Sequence, residues 1–480
     1  MNCEKLICDE NSTIKDVLKC INNNAKGVAF IVDGNKKLVG IATDGDIRRA
    51  LLDGAGLKET INAYMNDQFI YAPNPVEAQR IFQQYDWKIK IIPLVDKYMH
   101  VTDYAECNNK QHIALAQPQL IGNEYNYLMD AFLSTWISST GKYVTQFEER
   151  FSKYCGTSYG VAVSNGTVAL HLALTALGIG KGDEVIVPDI TFAATINAVI
   201  YTGATPVIVD IEEESWCIDP NEIEKAITLK TKAIIPVHIY GQPCDMGRIC
   251  DIARKHNLYI VEDCAEAHGA EWNHKKVGSF GIISCFSFFG NKVITTGEGG
   301  MCVTNNAELN VKMRVLRDHG MSKERKYYHE VIGFNYRMTN LQAAIGLAQT
   351  ERIDEILEWR EKIEEAYRDI FSEISEVSMQ KKNLNGRKKI AWLVSALIDS
   401  DKRDDVLEEL KKNNVDARAF FIPLSEMGIY KKYARTCIIS KKISKMGLNL
   451  PTTYETNQAV IKKIAMIISS MLYEKKKIDK

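Results

Sequence analysis

Short apolar runs recur between residues 159 and 263, and a helix-length segment separates each run from the next. The runs are four to six residues long and rich in Val and Ile. Strands buried on both faces show such continuous runs, whereas half-exposed strands alternate apolar and polar residues. The pattern therefore predicts a mainly parallel sheet with helices on both faces. The predicted strands are residues 159–163, 184–187, 206–210, 232–237 and 258–263.

The first 110 residues follow a different pattern, in which two short strands precede a helix. A shortened copy of the strand pair lies 63 residues further on, counting from Asp33 to Asp96. The repeat predicts a separate unit that ends near residue 110. Residues 111 to about 150, with Pro118 and Gly122, are expected to form a joining segment. The predicted N-terminal elements are strands at 28–33 and 37–43, a helix at 46–52, and strands at 91–96 and 100–103.

Composition narrows the class of protein. The 480 residues are 46% hydrophobic, which is enough for about two to four domains with cores of their own. Sixty basic residues balance sixty-one acidic ones, so the net charge of -1 favours neither nucleic acid nor an anionic membrane. The twelve cysteines include no Cys-x-x-Cys pair, which argues against a disulfide framework and against a metal site.

The N-terminus lacks the features of a targeting segment. Glu4, Lys5, Asp9 and Glu10 place charge where a signal peptide needs an apolar core. No apolar run in the sequence approaches the length of a membrane span. We therefore expect a cytoplasmic protein with reduced cysteines.

Lys292 is the first candidate for chemistry, because it follows an apolar run and precedes a glycine-rich turn. Burying an ammonium group is costly unless the group is paired or loses its proton. An amine in such surroundings is a nucleophile towards aldehydes, and the aldehyde that proteins most often hold this way is pyridoxal phosphate. A solvated surface lysine is the alternative, and it is the usual fate of a lysine.

Four other residues have the chemistry that pyridoxal phosphate requires. Asp263 ends an apolar strand and is placed to keep the pyridine nitrogen protonated. Gly166 and Thr167 open a helix after the first strand, and with Ser287 they provide donors for a phosphate. In parallel sheets such groups meet beyond the carboxyl ends of the strands. A helix cap without ligand remains the alternative for residues 164–167.

Phe192 is a candidate for stacking on the cofactor ring. It follows the end of a predicted strand, and a flat side chain suits a flat ring. Packing in the core is the alternative for an aromatic residue in an apolar stretch.

From about residue 114 to about residue 455 the chain resembles the DegT/DnrJ/EryC1/StrS family of sugar aminotransferases. Within that family the likeness is strongest to perosamine synthases, which share the stretches 286–292 (FSFFGNK) and 333–339 (GFNYRMT). Other matching motifs are 164–170 (SNGTVAL), 203–207 (GATPV), 237–245 (VHIYGQPCD), 262–270 (EDCAEAHGA) and 297–300 (GEGG).

The resemblance implies an α/β fold of the fold-type I class of pyridoxal phosphate enzymes. A mainly parallel seven-stranded sheet is expected in residues 111–370, and a small α/β domain in residues 371–480. The N-terminal residues 1–110 resemble a pair of CBS modules. The family also implies a homodimer with shared active sites.

The resemblance further implies roles for individual residues. The lysine matching Lys292 carries the cofactor covalently, and the aspartate matching Asp263 pairs with the ring nitrogen. The asparagine matching Asn335 reaches the cofactor phosphate of the neighbouring subunit. Two positions depart from the family. Glu266, which affects contacts to the phenolic oxygen, stands where many relatives have Gln, and Ser425 stands where His is frequent.

The activity implied is transfer of an amino group from glutamate to a 4-keto-6-deoxy sugar linked to a nucleoside diphosphate. GDP-4-keto-6-deoxymannose, giving GDP-perosamine for polysaccharides such as O-antigen, is the favoured substrate. UDP- or dTDP-linked sugars are the alternative. A pyridoxamine-dependent dehydratase of the same fold would have His in place of Lys292, and a CBS regulatory protein would carry an inactive transferase scaffold.

The N-terminal unit carries a nucleotide-binding signature of the CBS type at Gly40, Thr43 and Asp46. A hydroxyl and a carboxylate three residues apart can both face a ribose at a helix start. The second copy lacks the signature, so we expect at most one such site. The alternatives are a plain helix cap and a unit that serves assembly instead of regulation.

Overall fold

The computed structural model describes residues 3–84, 89–107, 112–322, 324–398 and 401–473. The chain forms two compact units, Met1–Gln111 and His112–Lys480. No described helix combines the length and the apolar character needed to cross a bilayer.

The N-terminal unit contains a three-stranded sheet and a two-stranded hairpin. β1 pairs parallel with β2, and β2 pairs antiparallel with β3. The hairpin β4–β5 has the same antiparallel geometry, so the strands predicted for both copies are confirmed. The elements are β1 (Ile7–Asp9), α1 (Ile14–Asn24), β2 (Val28–Val32), β3 (Leu38–Thr43), α2 (Asp44–Leu52), α3 (Pro75–Gln84), β4 (Ile91–Val95) and β5 (Val101–Glu106).

The second unit begins with the elements that build its large sheet. They are α4 (Glu124–Leu133), α5 (Lys142–Cys155), β6 (Tyr159–Val163), α6 (Gly166–Ala176), β7 (Glu184–Pro188), α7 (Ala194–Tyr201), β8 (Thr205–Val209), α8 (Pro220–Ala226), β9 (Thr231–Ile234), α9 (Met246–His256), β10 (Tyr259–Asp263), β11 (Glu271–Trp272), β12 (Lys275–Lys276), β13 (Ile283–Ser287), β14 (Gly300–Thr304), α10 (Ala307–Arg317) and α11 (Asn340–Glu351).

The remaining elements form the C-terminal part. They are α12 (Ile353–Phe371), β15 (Val377–Met379), β16 (Asn383–Leu384), β17 (Arg387–Lys388), β18 (Val394–Ile398), α13 (Arg403–Lys412), β19 (Arg418–Ala419), α14 (Ile439–Met446), β20 (Gly447–Leu450) and α15 (Gln458–Tyr473). An antiparallel sheet in the order β15-β18-β20-β19 lies at its centre. The apolar faces of α12, α13 and α15 contribute to the core beside it.

The large sheet has seven strands in the order β6-β14-β13-β10-β9-β7-β8. Six strands run in one direction, and β14 is antiparallel to its neighbours β13 and β6. Residues of these strands are almost all buried, as expected for a sheet covered on both faces. The predicted mainly parallel seven-stranded sheet is confirmed.

The expectation of a joining segment at 111–150 is wrong. α4 and α5 occupy it, and both pack against α11. Tyr143, Phe147 and Phe151 recur every four residues along α5 and lie in the core of the unit. This spacing places them on one face of a helix, a signal that the neighbouring Pro and Gly residues outweighed in the prediction.

Candidate active site

Residues at the ends of two strands and just after a third lie together at the carboxyl edge of the large sheet. Asp263 ends β10, and Ser287 ends the neighbouring β13. Gly166 opens α6 directly after β6, and α6 packs against β13. The structure therefore brings together three of the residues predicted from the sequence.

Lys292 lies in the turn that follows β13, with 12% of its side chain exposed. Its Nζ atom is 3.6 Å from Oε1 of Glu266. The same Nζ atom lies 4.1 Å from the centre of the Trp392 ring, so a protonated amine gains a cation–π contact. Lys292 is thus a nearly buried amine beside the Glu266 carboxylate. Its low exposure excludes the alternative of a solvated surface lysine.

Asp263 is a buried carboxylate held by two donors. The Thr195 hydroxyl donates to Oδ2 at 2.8 Å, and the Ala265 N–H donates to Oδ1 at 3.1 Å. Burial raises the pKa of Asp263, while these two donors and the charge of Lys292 act in the opposite direction. Sequence reasoning missed Thr195, since its contact with Asp263 spans 68 residues.

Glu266 is also buried, and its two oxygens have different partners. Oε2 accepts the Tyr240 N–H at 3.0 Å, which leaves Oε1 to face Lys292. Burial raises the pKa of Glu266 to about 7, even though Lys292 and the Tyr240 N–H favour the ionised form. Tyr240 has a positive φ of 51°, which is uncommon for a residue other than glycine.

Trp392 connects the turn that carries Lys292 to the segment leading into β18. Its indole N–H donates to the Asn291 carbonyl at 2.8 Å, directly before Lys292 in the chain. Its own carbonyl accepts from the buried Arg360 at 2.7 Å. Sequence reasoning missed Trp392, because no local pattern places a residue one hundred positions away beside the lysine.

The start of α6 and the end of β13 form a close-packed cradle. The Asn165 side chain accepts the Val168 N–H at 3.0 Å and caps the helix. A Cβ atom at Gly166 would come within 2.8 Å of the Ser287 Cβ atom, so only glycine allows this approach. Gly166, Thr167 and Ser287 therefore lie around the positive end of a helix, which suits a phosphate.

Phe192 and Asn335 lie at the edges of this region and are exposed. Phe192 precedes α7, and its carbonyl accepts from the N–H of Thr195, the partner of Asp263. Its ring centre is 5.9 Å from that of Phe421. Asn335 is followed by Tyr336, whose carbonyl accepts from Ser164 at 2.9 Å, so this segment borders the start of α6. The exposure of Phe192 excludes a role in core packing.

Ser425 is bound to a buried carboxylate. Its N–H and its hydroxyl donate to Asp189 at 2.7 and 2.8 Å, and the Ser440 hydroxyl donates to the same side chain at 2.6 Å. Burial raises the pKa of Asp189, against the effect of these donors. Ser425 thus fastens its own loop to the end of β7.

A further buried carboxylate, Glu262, is held by hydrogen bonds that stabilise the fold. Its oxygens accept from three backbone N–H groups, from Ser284 and from His238. Burial disfavours its charge, but the His238 ring and these donors outweigh burial and keep the pKa of Glu262 below its usual value. Cys264 lies close to this pair, yet donors occupy both oxygens of Glu262, so the cluster lacks the free ligand atoms of a metal site.

In the N-terminal unit, Thr43 and Asp46 form a capping box at the start of α2. The Thr43 Oγ1 atom accepts the Asp46 N–H at 3.2 Å, and Asp46 accepts the Thr43 N–H at 2.9 Å. A side chain at Gly40 would run into Met65. The helix-cap role is therefore present, and nucleotide binding at these residues stays a prediction.

Comparisons with known proteins agree with this geometry. The pattern of the DegT/DnrJ/EryC1/StrS aminotransferase family matches residues 118–469, and that of the CBS domain matches residues 1–53. The chain belongs to this aminotransferase family. It is 45% identical over 365 residues to the GDP-perosamine synthase of Caulobacter vibrioides, covering 75% of this chain and 98% of that protein.

Two further relatives extend the comparison. The GDP-perosamine synthase of Escherichia coli O157:H7 is 44% identical over 343 residues, which are 71% of this chain and 93% of that protein. The crystal structure of DesV from S. venezuelae, in complex with a ketimine intermediate, superimposes with a TM-score of 0.69 at 31% identity. The superimposed region covers 73% of this chain and 95% of the DesV chain.

This sugar aminotransferase is therefore a pyridoxal phosphate enzyme of fold-type I. The residues at the carboxyl edge fit that cofactor. A nearly buried amine at Lys292, a buried carboxylate at Asp263 and a glycine-lined helix start at Gly166 provide the three kinds of contact that the cofactor needs.

Proposed function

We propose that this enzyme transfers the amino group of glutamate to GDP-4-keto-6-deoxymannose, giving GDP-perosamine. The buried group of Lys292, Glu266 and Asp263 carries the proposal, because it offers an amine and two carboxyls in a site suited to transamination. The identities of 44–45% to proteins named GDP-perosamine synthase support this choice of sugar.

Lys292 is the catalytic residue in this proposal. Its Nζ atom would hold the cofactor covalently, and its free amine would carry a proton to and from the carbon that bears the amino group. When bound, pyridoxal phosphate supplies an electron sink that stabilises negative charge at that carbon. Trp392 packs against the amine and excludes water from one side of it.

Asp263 holds the pyridine nitrogen protonated in this arrangement. Thr195 and the Ala265 N–H hold its carboxylate in place, which fixes the direction in which it would accept a hydrogen bond from the protonated nitrogen. Glu266 would lie near the phenolic oxygen, and Phe192 would stack on the ring. The contact of Glu266 with Lys292 and the hydrogen bond from Thr195 to the Phe192 carbonyl support these two assignments.

The start of α6 would hold the phosphate of the cofactor. The first N–H groups of that helix point outward without helical partners, and Gly166 and Thr167 provide them. The Ser287 hydroxyl contributes a further donor. Asn335 of a second protomer completes the phosphate site, so we propose a homodimer.

The substrate is tested by incubating the purified protein with glutamate and GDP-, UDP- and dTDP-linked 4-keto-6-deoxy sugars. We expect mass spectrometry to show an amino sugar from the GDP-linked substrate at a rate at least about tenfold above the others. A faster reaction with a UDP- or dTDP-linked sugar would replace the proposed substrate and leave the aminotransferase assignment intact.

Lys292→Ala is expected to lower turnover by about a thousandfold or more, because both the covalent bond and the proton transfer depend on its amine. Thermal unfolding should change little. Lys232→Ala, at an exposed lysine of β9, is the matched control and should keep full activity. Turnover near the parent rate in Lys292→Ala would show that another group acts as the catalytic amine.

A further inference from the structure

The turn that carries Lys292 is anchored from a distant part of the chain by an indole group. Within the turn, the Lys292 N–H donates to the Phe289 carbonyl at 2.9 Å. From outside, the indole N–H of Trp392 donates to the Asn291 carbonyl at 2.8 Å. In the part of the chain that the structure describes, no other hydrogen bond joins the backbone of residues 290–294 to a distant segment.

The indole of Trp392 is itself fixed by its surroundings. Trp392 is 4% exposed, and its ring stacks on that of the fully buried Tyr240, with 6.3 Å between the ring centres. Side chains in a close-packed interior cannot rotate without displacing their neighbours, so the indole N–H keeps one direction. The position of the Asn291 carbonyl therefore depends on the position of Trp392.

A buried guanidinium holds the backbone of Trp392. Arg360 lies on α12 and is 1% exposed, and its Nη1 atom donates to the Trp392 carbonyl at 2.7 Å. Among the described residues, no carboxylate pairs with this guanidinium, and the Trp392 carbonyl is its only hydrogen-bond acceptor. Burial lowers the pKa of Arg360 to about 10, so the group keeps its charge at neutral pH.

The burial of this charge has a free-energy cost that packing does not explain. A guanidinium in the interior loses its hydration, and at Arg360 no counter-ion offsets the loss. An apolar residue of similar volume in place of a buried charge is often neutral or stabilising. The feature that an apolar residue could not supply is the charge-assisted hydrogen bond to the Trp392 carbonyl. This bond indicates a role for Arg360 in placing Trp392.

We propose that Trp392 and Arg360 are positioning residues that fix the turn from which Lys292 reaches the cofactor. Arg360 places the backbone of Trp392, and the Trp392 indole places the Asn291 carbonyl next to the lysine. The inference rests on the proposed role of Lys292 as the cofactor-bearing amine. A misplacement of about 1 Å can lower a rate about a hundredfold, so a small shift of the turn is enough to slow catalysis.

Three variants separate this role from packing. Trp392→Phe removes the indole N–H and keeps an aromatic ring. Arg360→Met removes the donor to the Trp392 carbonyl and keeps an unbranched apolar side chain. Trp272→Phe is the matched control, because the indole nitrogen of Trp272 is buried and has no hydrogen-bond partner within the described residues. Melting curves establish that each variant is folded, and Arg360→Met supplies the test if Trp392→Phe does not fold.

The first measurement is hydrogen–deuterium exchange of the full-length chain without cofactor, read in peptides that cover residues 288–299. We expect exchange there to be at least about threefold faster in Trp392→Phe and in Arg360→Met, because the turn loses its anchor. Trp272→Phe should exchange like the parent in these peptides. Equal exchange in the parent and a folded Trp392→Phe would overturn the proposal, and so would equally faster exchange in Trp272→Phe.

The second measurement is the steady-state kinetics of the loaded enzyme. In Trp392→Phe we expect kcat to fall about tenfold to a hundredfold, while KM for the sugar nucleotide changes less than about twofold, because the turn is displaced and the substrate contacts are kept. Since Arg360 acts through Trp392, the double variant should be no slower than the slower single variant. A parent kcat in folded Trp392→Phe, or losses that multiply in the double variant, would overturn the proposal.

Borohydride reduction of the loaded parent enzyme distinguishes this inference from the proposed function. We expect peptide mass spectrometry to place the reduced cofactor on Lys292. A label on another lysine would overturn the proposed role of Lys292 together with the positioning assigned to Trp392. A label on Lys292, with unchanged exchange and kcat in Trp392→Phe, would overturn the positioning role alone and leave the proposed function intact.

Discussion

At the scale of single residues, the hydroxyl of Thr195 opposes the effect of burial on the pKa of Asp263. It donates to the buried carboxylate at 2.8 Å, and its own oxygen contacts the Thr191 hydroxyl at 2.8 Å. Burial raises the pKa of Asp263, and this donor is the largest of the effects that lower it. The short chain of hydroxyls thus favours the ionised form that a pyridinium partner requires.

Thr195→Val removes the donor while keeping the shape of the side chain. The pKa of Asp263 should rise further, so the acid limb of the kcat/KM profile should move upward by about one pH unit. Thr191→Val is the matched control and should shift the limb less, because Thr191 reaches Asp263 only through Thr195. Identical acid limbs in the parent and Thr195→Val would show that Asp263 does not control that limb.

At the scale of elements, α14 depends on a carboxylate from another part of the sheet. Asp210, which follows β8, accepts the N–H groups of Ile438, Ile439 and Ser440 at 2.6, 2.8 and 2.9 Å. These are donors at the start of a helix, which lack partners within the helix itself. Asp210 therefore joins the large sheet to the C-terminal part through the end of a helix.

Asp210→Ala should lower the free energy of unfolding by about 2–4 kcal/mol, because it removes the acceptor of three partly or fully buried N–H groups at the start of α14 and of the Ile211 N–H. Asp219→Ala, at the cap of α8 where the side chain accepts only from Asn221, should cost about 1 kcal/mol. Denaturant unfolding measures both values. Equal losses in the two variants would contradict the role assigned to Asp210.

The N-terminal unit provides a matched pair of helix caps for testing nucleotide binding. Thr43 and Asp46 cap α2, and Thr13 and Asp16 cap α1 with nearly the same geometry. If the CBS-type signature binds a nucleotide, Asp46→Ala should weaken adenine or guanine nucleotide binding to the full chain by about tenfold or more.

Asp16→Ala should leave that affinity unchanged, although both variants lose a hydrogen bond with the capping threonine worth about 1 kcal/mol. Calorimetry supplies the affinities, and activity assays show whether the nucleotide alters turnover. Equal weakening in both variants would assign the effect to helix stability. Absence of binding at millimolar nucleotide would leave assembly as the role of this unit.

At the scale of the whole molecule, exposed apolar side chains support the proposed homodimer. Leu133 and Ile332 are 72% and 92% exposed, and Phe132 and Trp136 are also exposed. A group of large exposed apolar side chains, such as the one at residues 132–136, is typical of an interface. Ile332 lies three residues before Asn335, so an interface covering it would bring Asn335 to the edge of a second subunit.

Mixing Lys292→Ala with Asn335→Asp tests this sharing. In a hybrid dimer, the subunit with Lys292 receives an intact Asn335 from its partner, so one of two sites is complete. Random exchange at equal amounts should restore roughly a quarter of the parent activity. As a control, each variant is taken through the same exchange procedure without the other variant and should stay inactive. Demonstrated exchange without recovery would mean that each site is built from one chain.

The sequence by itself determined the layout of the large sheet and the identity of its strand-end residues. Continuous Val and Ile runs in alternation with helices leave few arrangements other than a parallel sheet, and parallel strands end at one edge. Asp263, Ser287 and Gly166 could therefore be placed together without coordinates. α5 could have been predicted as well from its four-residue apolar spacing.

Only the tertiary structure decided what surrounds these residues. Thr195 on Asp263, Trp392 on Lys292 and Asp210 on α14 are contacts over 68, 100 and more than 200 residues, which no local periodicity encodes. Burial likewise depends on the packed whole, and it raises the pKa of Glu266. Residue type gives each group its chemistry, but desolvation and neighbouring charges set its protonation, and both arise only when distant segments come together.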